Sequence, residues 1–355
     1  MWPYFVILLI TFLAQIQLSK RSNRNVGFTL IFVVLFLFAA LRGNGDGDYF
    51  NYLIYSKYIT TFSNVLDFRF PMEIGFRLIS YLVNSLGLHE QTVIAIMNLI
   101  SLTCIYTFIN KYSPDKALSV LLFLPLYFQY DMHAARTAVA IGISTLSFQY
   151  IYDRNLLKYV FVVFLASAFH KSAFILLPMY FIGHLKINRS FGALVLLVMF
   201  FITELVSTST LALRLLNIIG LNSIAARFQV YMSSTRFGYA FKLYDPRFFL
   251  VIGTYLLATS VLRKTDKMHN TLINSMWVNS LLMIFFREHT AFVTRLSSFF
   301  NIYSIIVIPH IIFVYKERME GNMAGLTKLS FVYTYLLYIS ALLVGAVEYK
   351  LFFCS

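Results

Sequence analysis

The stretch VGFTLIFVVLFLFAALRGNGDGDYFNYLIY, residues 26–55, joins a long apolar run to a compact polar segment. Its apolar part, Val26–Leu41, has no charged side chain and is nearly long enough to cross the hydrocarbon core of a bilayer as a helix. Uncharged runs recur at Phe248–Leu262 and Leu329–Val347. These runs predict an all-α, polytopic membrane protein.

The composition supports the same class. The chain has 355 residues, of which 59% are hydrophobic and 12% charged, and its mean hydropathy is +0.73. The two cysteines, Cys104 and Cys354, indicate neither a disulfide framework nor a cysteine metal site. The net charge of +14 is typical of cytoplasmic anchoring or of binding to an anion such as phosphate. We expect no nucleic-acid partner and no cofactor.

The positions of lysine and arginine predict the topology. Placing the basic loops inside gives about twelve transmembrane helices in a single membrane domain, residues 1–355, with both ends outside. Residues 71–86 are expected to form a re-entrant or interfacial helix, because a full crossing would place the basic loop Lys111–Lys116 outside. In this segment Glu73 and Arg77 are four residues apart, which predicts that they lie together on one face of the helix. Residues 206–247 are expected to form a long extracytoplasmic loop, which is too long for a tight connection.

The two basic residue types separate across this topology. Predicted outer segments hold four lysines but ten arginines, at positions 42, 69, 77, 136, 214, 227, 236, 247, 287 and 295. Arginine presents a planar fork of donors that matches phosphate oxygens, whereas lysine is the usual charge of a solvated anchor. The excess indicates an outer cavity that faces an anionic, phosphate-bearing lipid.

The segment RGNGDGDYFNY, residues 42–52, has three interpretations. It is a turn-rich loop followed by an interfacial helix with Tyr49 and Tyr52 in the aromatic belt, or one wall of a polar site. The pair Asp46 and Asp48 could also hold a divalent ion beside a diphosphate. Two acids in a glycine loop are weak evidence for a metal.

Three further positions carry candidate chemistry. The segment DMHAAR, Asp131–Arg136, precedes an apolar helix. It is either a helix start with Asp131 as an acidic cap and Arg136 snorkelling to the surface, or a site where Arg136 joins the helix N-terminus in binding an anion. His170 is either a structural residue or a base, since a neutral imidazole suits proton abstraction near neutral pH. Arg287 and Arg295 flank another outer turn, where they either form internal ion pairs or bind an anion.

The order of these motifs resembles the Wzy/EpsG-type polysaccharide polymerases. The motifs are Arg42 with the acids and tyrosines up to Tyr52, PMEIGFRLISYL from Pro71, Arg136 before AVAIGI, FHKSA from Phe169 and RLSSFFNIYSIIVIP from Arg295. They cover most of the chain. One position departs from the family pattern, since Thr137 stands where family members often carry glutamine.

The resemblance implies a GT-C-like membrane glycosyltransferase of the bacterial inner membrane, with its active site facing the periplasm. Such an enzyme transfers a glycan from undecaprenyl diphosphate to the next lipid-linked repeat unit without a metal, and it can work beside a chain-length regulator. We expect Arg136, Arg295, Arg42 and Arg287 to bind the diphosphate. His170 is the first candidate for the base, followed by Glu73 and Asp46, and the candidate acceptor-sugar residues are Asp48, Tyr49, Tyr52 and His133.

Two other functions fit the same sequence features. One is a metal-dependent GT-C enzyme that uses a polyprenyl-phosphate sugar, with Asp46 and Asp48 on the ion. The other is a transporter of lipid-linked oligosaccharides, which also needs an arginine-lined cavity.

Overall fold

The computed structural model describes residues 3–9, 24–43, 47–220, 222–233, 240–241, 245–318, 320–344 and 348–354. In these ranges the α-helices, in chain order, are α1 (3–9), α2 (Arg24–Ala40), α3 (Gly47–Lys57), α4 (Phe62–Leu66), α5 (Ile74–Ser85), α6 (Gln91–Tyr112), α7 (Lys116–Leu126), α8 (Ala135–Thr145), α9 (Phe148–Tyr152), α10 (Leu156–Ser167), α11 (Met179–Ile182), α12 (Arg189–Leu205), α13 (Thr208–Ile218), α14 (Asn222–Ser233), α15 (Pro246–Val261), α16 (Lys267–Phe285), α17 (Thr290–Asn301), α18 (Ser304–Glu317) and α19 (Gly321–Val344).

The prediction of an all-helical chain is confirmed for the part that the structure describes. Extended backbone pairs there at one isolated antiparallel bridge, between Arg42 and Leu351. Aspartate side chains cap the N-termini of several helices. At α7, Asp115 accepts a hydrogen bond from the Leu118 N–H at 3.0 Å. Such caps satisfy backbone donors that have no partner in the first helical turn.

Two helices in the described ranges are individually long and apolar enough to cross a membrane. These are Gln91–Tyr112 and Gly321–Leu343, and two bent pairs raise the number to four if each pair forms one span. Helices α12 and α13 form the first pair, bent by 92°, while α17 and α18 form the second, bent by 46°. Shorter apolar helices, including α2, α10 and α15, accompany them. The expected twelve crossings therefore stay a prediction.

Helix α6 is central to the packing, with α2 on one side and α8 on another. It approaches α8 closely at Gly142, where an added Cβ would lie 2.9 Å from the Ser101 carbonyl oxygen. Small residues permit such close contact between helices that share little polar surface. This contact fixes α8, the helix that carries Arg136, against the middle of the molecule.

Contacts between helix termini define two ends of the helical bundle. At the end we call the Lys116 end, the Lys116 ammonium donates to Asn25 at 3.2 Å and Lys328 pairs with Asp115 at 3.0 Å. At the opposite end, the Arg42 end, the Gly43 N–H donates to the Lys350 carbonyl at 2.7 Å. Segments predicted on the same side of the membrane therefore lie together.

The two atypical segments are both helical in their described parts. Within residues 71–86, α5 has 12 residues, so it is about 18 Å long, shorter than the hydrocarbon core of a bilayer. Its length suits a re-entrant or interfacial helix. Within residues 206–247, the chain turns sharply after α12 and continues as α13 and α14. The described part of the predicted loop therefore contains two helices.

Candidate active site

Arg136 reaches its position through an irregular stretch of chain between α7 and α8. Pro125 near the end of α7 removes a backbone donor, and residues Tyr127–Asp131 follow as a single π-helical turn. His133 lies half-buried in the connection that follows. Arg136 is then the second residue of α8, as expected from the sequence.

The guanidinium of Arg136 forms an ion pair with the carboxylate of Glu73. Both side chains are largely enclosed, with 18% and 14% of their surfaces exposed. The Arg136 backbone N–H donates to the Tyr52 hydroxyl at 3.4 Å, and its guanidinium lies 5.7 Å from the centre of that ring. Residues from α3, α5 and α8 therefore converge at one point.

Glu73 differs from the sequence expectation in its partner. Its spacing from Arg77 predicted a pair on one helical face, but Glu73 stands before α5 as its N-terminal cap residue, in extended backbone. The Arg77 guanidinium donates instead to the Asp67 carbonyl. Because Glu73 precedes the helix, its carboxylate is free to turn toward α8.

A backbone contact brings His170 to the same place. The Gly75 N–H donates to the Ala168 carbonyl at 2.7 Å, which docks the start of α5 on the turn that carries His170. Gly75 fits because an added Cβ would lie 2.9 Å from that carbonyl oxygen and from the Phe169 ring. Glu73, Arg136 and Arg295 all act electrostatically on the imidazole.

The hydrogen bonding of His170 bears on its chemistry. Its Nδ1 accepts a hydrogen bond from the Ser172 N–H at 3.2 Å, so in the neutral ring the proton resides on Nε2. Burial lowers the pKa of His170 from its usual 6.5 to about 4, with Arg136 and Arg295 lowering it further against Glu73. At neutral pH this imidazole is an uncharged donor at Nε2.

Arg295 completes what we call the central cluster, defined as Tyr52, Glu73, Arg136, His170 and Arg295. It lies half-buried on α17 and acts electrostatically on both His170 and Tyr130. The cluster combines two guanidinium groups, one carboxylate and one imidazole. Such a set can bind an anion and exchange a proton.

Arg42 and Tyr49 form a second group at the same end of the bundle. The Tyr49 hydroxyl donates to Gln91 at 2.9 Å, and the Gln91 amide donates to the carbonyls of Ala40 and Arg42 at 2.7 and 2.9 Å. Arg42 is 1% exposed, stacks on Tyr49 and acts electrostatically on the buried carboxylate of Asp131. Arg42 is therefore a fully enclosed group.

Gln91 and Asp131 were not among the candidates from the sequence. Gln91 is an ordinary residue at a helix start, and nothing near it in the sequence signals its three contacts with residues 40–49. Asp131 resembled a helix cap. Its burial between two helices is visible only in the fold.

The acidic pair of the glycine segment is only partly described. Asp46 lies outside the described residues, whereas Asp48 is half-buried on α3 and acts electrostatically on Tyr52. Across the described ranges, no group of three or more His, Cys, Asp or Glu side chains could hold a metal ion.

Arg287 makes its contacts elsewhere. Its guanidinium pairs with Glu204 at 2.7 Å, donates to the Thr203 carbonyl at 3.1 Å and lies 5.7 Å from the centre of the Phe200 ring. All three partners belong to α12. Of the two alternatives for this arginine, the structure has the internal ion pair, with a partner that the sequence analysis did not consider.

The model of the EpsG family matches residues 25–353, which include every member of the central cluster. No curated protein and no solved structure matches the chain.

Proposed function

Because the chain belongs to the EpsG family, a membership that implies a membrane polysaccharide polymerase, we propose that it joins lipid-linked oligosaccharide repeat units at the central cluster. The donor is a glycan on a polyprenyl diphosphate, and the acceptor is a sugar hydroxyl of the next lipid-linked unit. Undecaprenyl diphosphate is released. The chain spans the inner membrane about twelve times, and the Arg42 end faces the periplasm.

The observation that carries the proposal is the convergence of Arg136, Glu73, His170 and Arg295. Cleavage of the bond between the sugar and the diphosphate leaves negative charge on the phosphate oxygens. Two guanidinium groups at the site stabilise that charge where little water competes. We assign Arg136 and Arg295 to this charge. Arg42 acts indirectly, through its contact with Tyr49 on α3.

The ion pair between Arg136 and Glu73 suggests how the base becomes available. A bound diphosphate competes with Glu73 for the Arg136 guanidinium. When Arg136 turns to the phosphate, the Glu73 carboxylate loses its counter-charge and becomes a better proton acceptor. Glu73 is thus our choice of base, ahead of His170, which the Ser172 hydrogen bond leaves as a donor.

In the transfer step, the acceptor hydroxyl oxygen forms a bond to the anomeric carbon while the bond from that carbon to the diphosphate oxygen breaks. The electron pair of the broken bond stays on the diphosphate, and the hydroxyl proton passes to Glu73. The Nε2–H of His170 donates to an oxygen of the substrate, and Tyr52, Asp48, Tyr49 and His133 line the approach of the acceptor sugar.

The proposal is tested by the length of the glycans that variants produce. We expect Arg136→Ala, Arg295→Ala and His170→Ala to leave the membrane level of the protein intact and to reduce glycan ladders to single repeat units. The matched control is Arg69→Ala, because the Arg69 side chain is 98% exposed and lies outside the cluster. Normal ladders from all three cluster variants would contradict the proposed site.

A further inference from the structure

A cavity of about 570 Å³ opens between α15 and α19, away from the central cluster. We call it the lateral groove and define it by Gly253, Thr254 and Leu257 on α15 with Ser330, Phe331 and Thr334 on α19. Both helices pack against α18, which leaves a gap between them. Large apolar side chains at the rim, Phe249 and Leu337, are 66% and 52% exposed.

The groove runs lengthwise along the two helices. On α15 it extends from Pro246 to Leu257, and on α19 from Leu337 to Leu326. At 1.5 Å per residue this is about 16 Å, or about half of the hydrocarbon thickness of a bilayer. Its shape suits an extended chain that lies along the membrane normal.

Two threonine hydroxyl groups of the groove are satisfied within their own helices. The Thr254 hydroxyl donates to the Leu250 carbonyl at 2.6 Å, and the Thr334 hydroxyl donates to the Ser330 carbonyl at 2.8 Å. Because these donors are satisfied within their own helices, the threonine methyl groups remain for the groove. The lining is therefore compatible with a hydrocarbon chain.

One end of the groove meets a small chamber of about 40 Å³, lined in part by polar side chains. Leu250 lines both spaces, and the chamber adds Tyr130, Arg247, Ser298 and Tyr338. The Tyr130 hydroxyl donates to the Thr294 carbonyl of α17 at 2.9 Å. The chamber thus borders the helix that carries Arg295.

The direction of the groove follows from contacts at the helix termini. Arg318, just after α18, donates to the Val261 carbonyl at 3.0 Å, which places the end of α15 beside the start of α19. That is the Lys116 end, since Lys328 of α19 pairs with Asp115 there. The chamber therefore lies at the end of the groove that points toward the central cluster.

We infer that the lateral groove binds the polyprenyl chain of the lipid-linked donor, and that the chamber lies between this chain and the diphosphate at Arg295. The inference rests on the proposed function, which supplies a substrate with both an isoprenoid chain and a diphosphate. Arg295 connects the two regions, because it acts electrostatically on Tyr130 in the chamber and on His170 in the cluster.

Gly253 offers a direct test. A Cβ added to Gly253 meets no atom within 4 Å, so Gly253→Phe fills the groove without a clash in the helix. The matched control is Gly325→Phe, because Gly325 on α19 also has open space around it but does not line the groove. Equal thermal stability of the two purified variants shows that both fold.

The measurement is retention of radiolabelled undecaprenyl diphosphate, which carries no glycan, by the purified protein. We expect Gly253→Phe to weaken retention by about tenfold or more, because the phenyl ring excludes part of the chain from apolar burial. Gly325→Phe retains the label like the unmodified protein. Equal retention by both variants overturns the assignment.

A competition arm identifies the occupant. Unlabelled undecaprenyl diphosphate should displace the label, whereas phosphatidylglycerol should not. If phosphatidylglycerol displaces it equally well, the groove is a site for bilayer lipid and the inference fails. Because no acceptor is present, this result is independent of polymerisation. A protein that binds the label but never lengthens a glycan contradicts the proposed function, whereas the assignment of the groove to the polyprenyl chain still holds.

Discussion

The pairing of Arg136 with Glu73 is the most informative contact at the scale of single residues. It joins positions 63 residues apart, and the sequence placed both in the site without indicating that they touch. Arg136 was predictable because it opens an apolar helix, where a charged group requires an anionic partner. The pairing with Glu73 was not predictable, because the four-residue spacing between Glu73 and Arg77 suggested Arg77 as the neighbour of Glu73. The pair suggests that the substrate itself controls when Glu73 can accept a proton.

We predict that Glu73→Gln lowers the transfer rate by about 10²- to 10⁴-fold, the usual contribution of a general base. The same change should leave binding of undecaprenyl diphosphate unchanged or tighter, because Arg136 no longer has a competing carboxylate. Single-turnover kinetics and equilibrium binding separate the two effects. A rate within a few-fold of the unmodified protein would exclude Glu73 as the base.

The pH dependence distinguishes a donor role for His170 from a role as base with an ordinary pKa. Since the folded-state pKa is about 4, below the usual 6.5, the ring stays neutral down to about pH 4, and the fold loses stability as pH falls from 6.5 toward 4. We therefore predict that the transfer rate shows no His170-dependent decrease between pH 7.5 and about 5.5. The measurement is a pH–rate profile of the unmodified protein beside His170→Gln. A decrease centred near pH 6.5 that His170→Gln abolishes would contradict the donor role.

At the scale of elements, the position of α5 determines whether the site assembles. The apolar runs of the sequence indicated which segments are helical, because their composition alone favours burial. They did not indicate the hydrogen bond between the Gly75 N–H and the Ala168 carbonyl. A tertiary contact between two backbones does not change the hydrophobic periodicity of either segment. The acidic and glycine-rich segment after α2 was likewise recognisable as polar, but its attachment through Gln91 was not.

We predict that Gly75→Ala impairs activity more than it impairs folding. The added methyl group would meet the Ala168 carbonyl oxygen at 2.9 Å, so the start of α5 must shift and carry Glu73 away from His170. Overpacking of this kind costs about 1–3 kcal/mol of folding free energy. The measurements are thermal unfolding and the transfer rate.

Gly325→Ala is the control for this change, because the Cβ there meets open space and alanine favours a helix. We expect it to retain full activity with equal or higher stability. If Gly75→Ala behaves like Gly325→Ala in both measurements, the backbone contact between Gly75 and Ala168 does not position the site.

At the scale of the whole molecule, the helical class followed from composition, whereas the number of crossings did not. Helices such as α10, with 12 residues, are too short to cross hydrocarbon alone, and two bent helix pairs in the described ranges count as one span each only if the bend interrupts a single crossing. Hydropathy counts apolar runs and is insensitive to these breaks. The two ends of the bundle nevertheless bring together the segments that charge placed on one side.

Cysteine labelling tests the orientation of the bundle. In a chain with Cys104 and Cys354 replaced by serine, we predict that a cysteine at Lys116 reacts with a membrane-impermeant maleimide only after the membrane is permeabilised. A cysteine at Arg69, on the opposite side in the predicted topology, should react in intact cells. The reverse pattern would invert the predicted topology.

The central claim is that the chain lengthens a glycan by displacing a polyprenyl diphosphate. The most direct measurement is the stoichiometry of the reaction in reconstituted vesicles with a defined lipid-linked repeat unit, treated with EDTA. We predict one undecaprenyl diphosphate released for each repeat unit added, with activity unchanged by the chelator. Release of a polyprenyl monophosphate with dependence on added manganese, or movement of the labelled lipid across the vesicle membrane without any lengthening of the glycan, would contradict it.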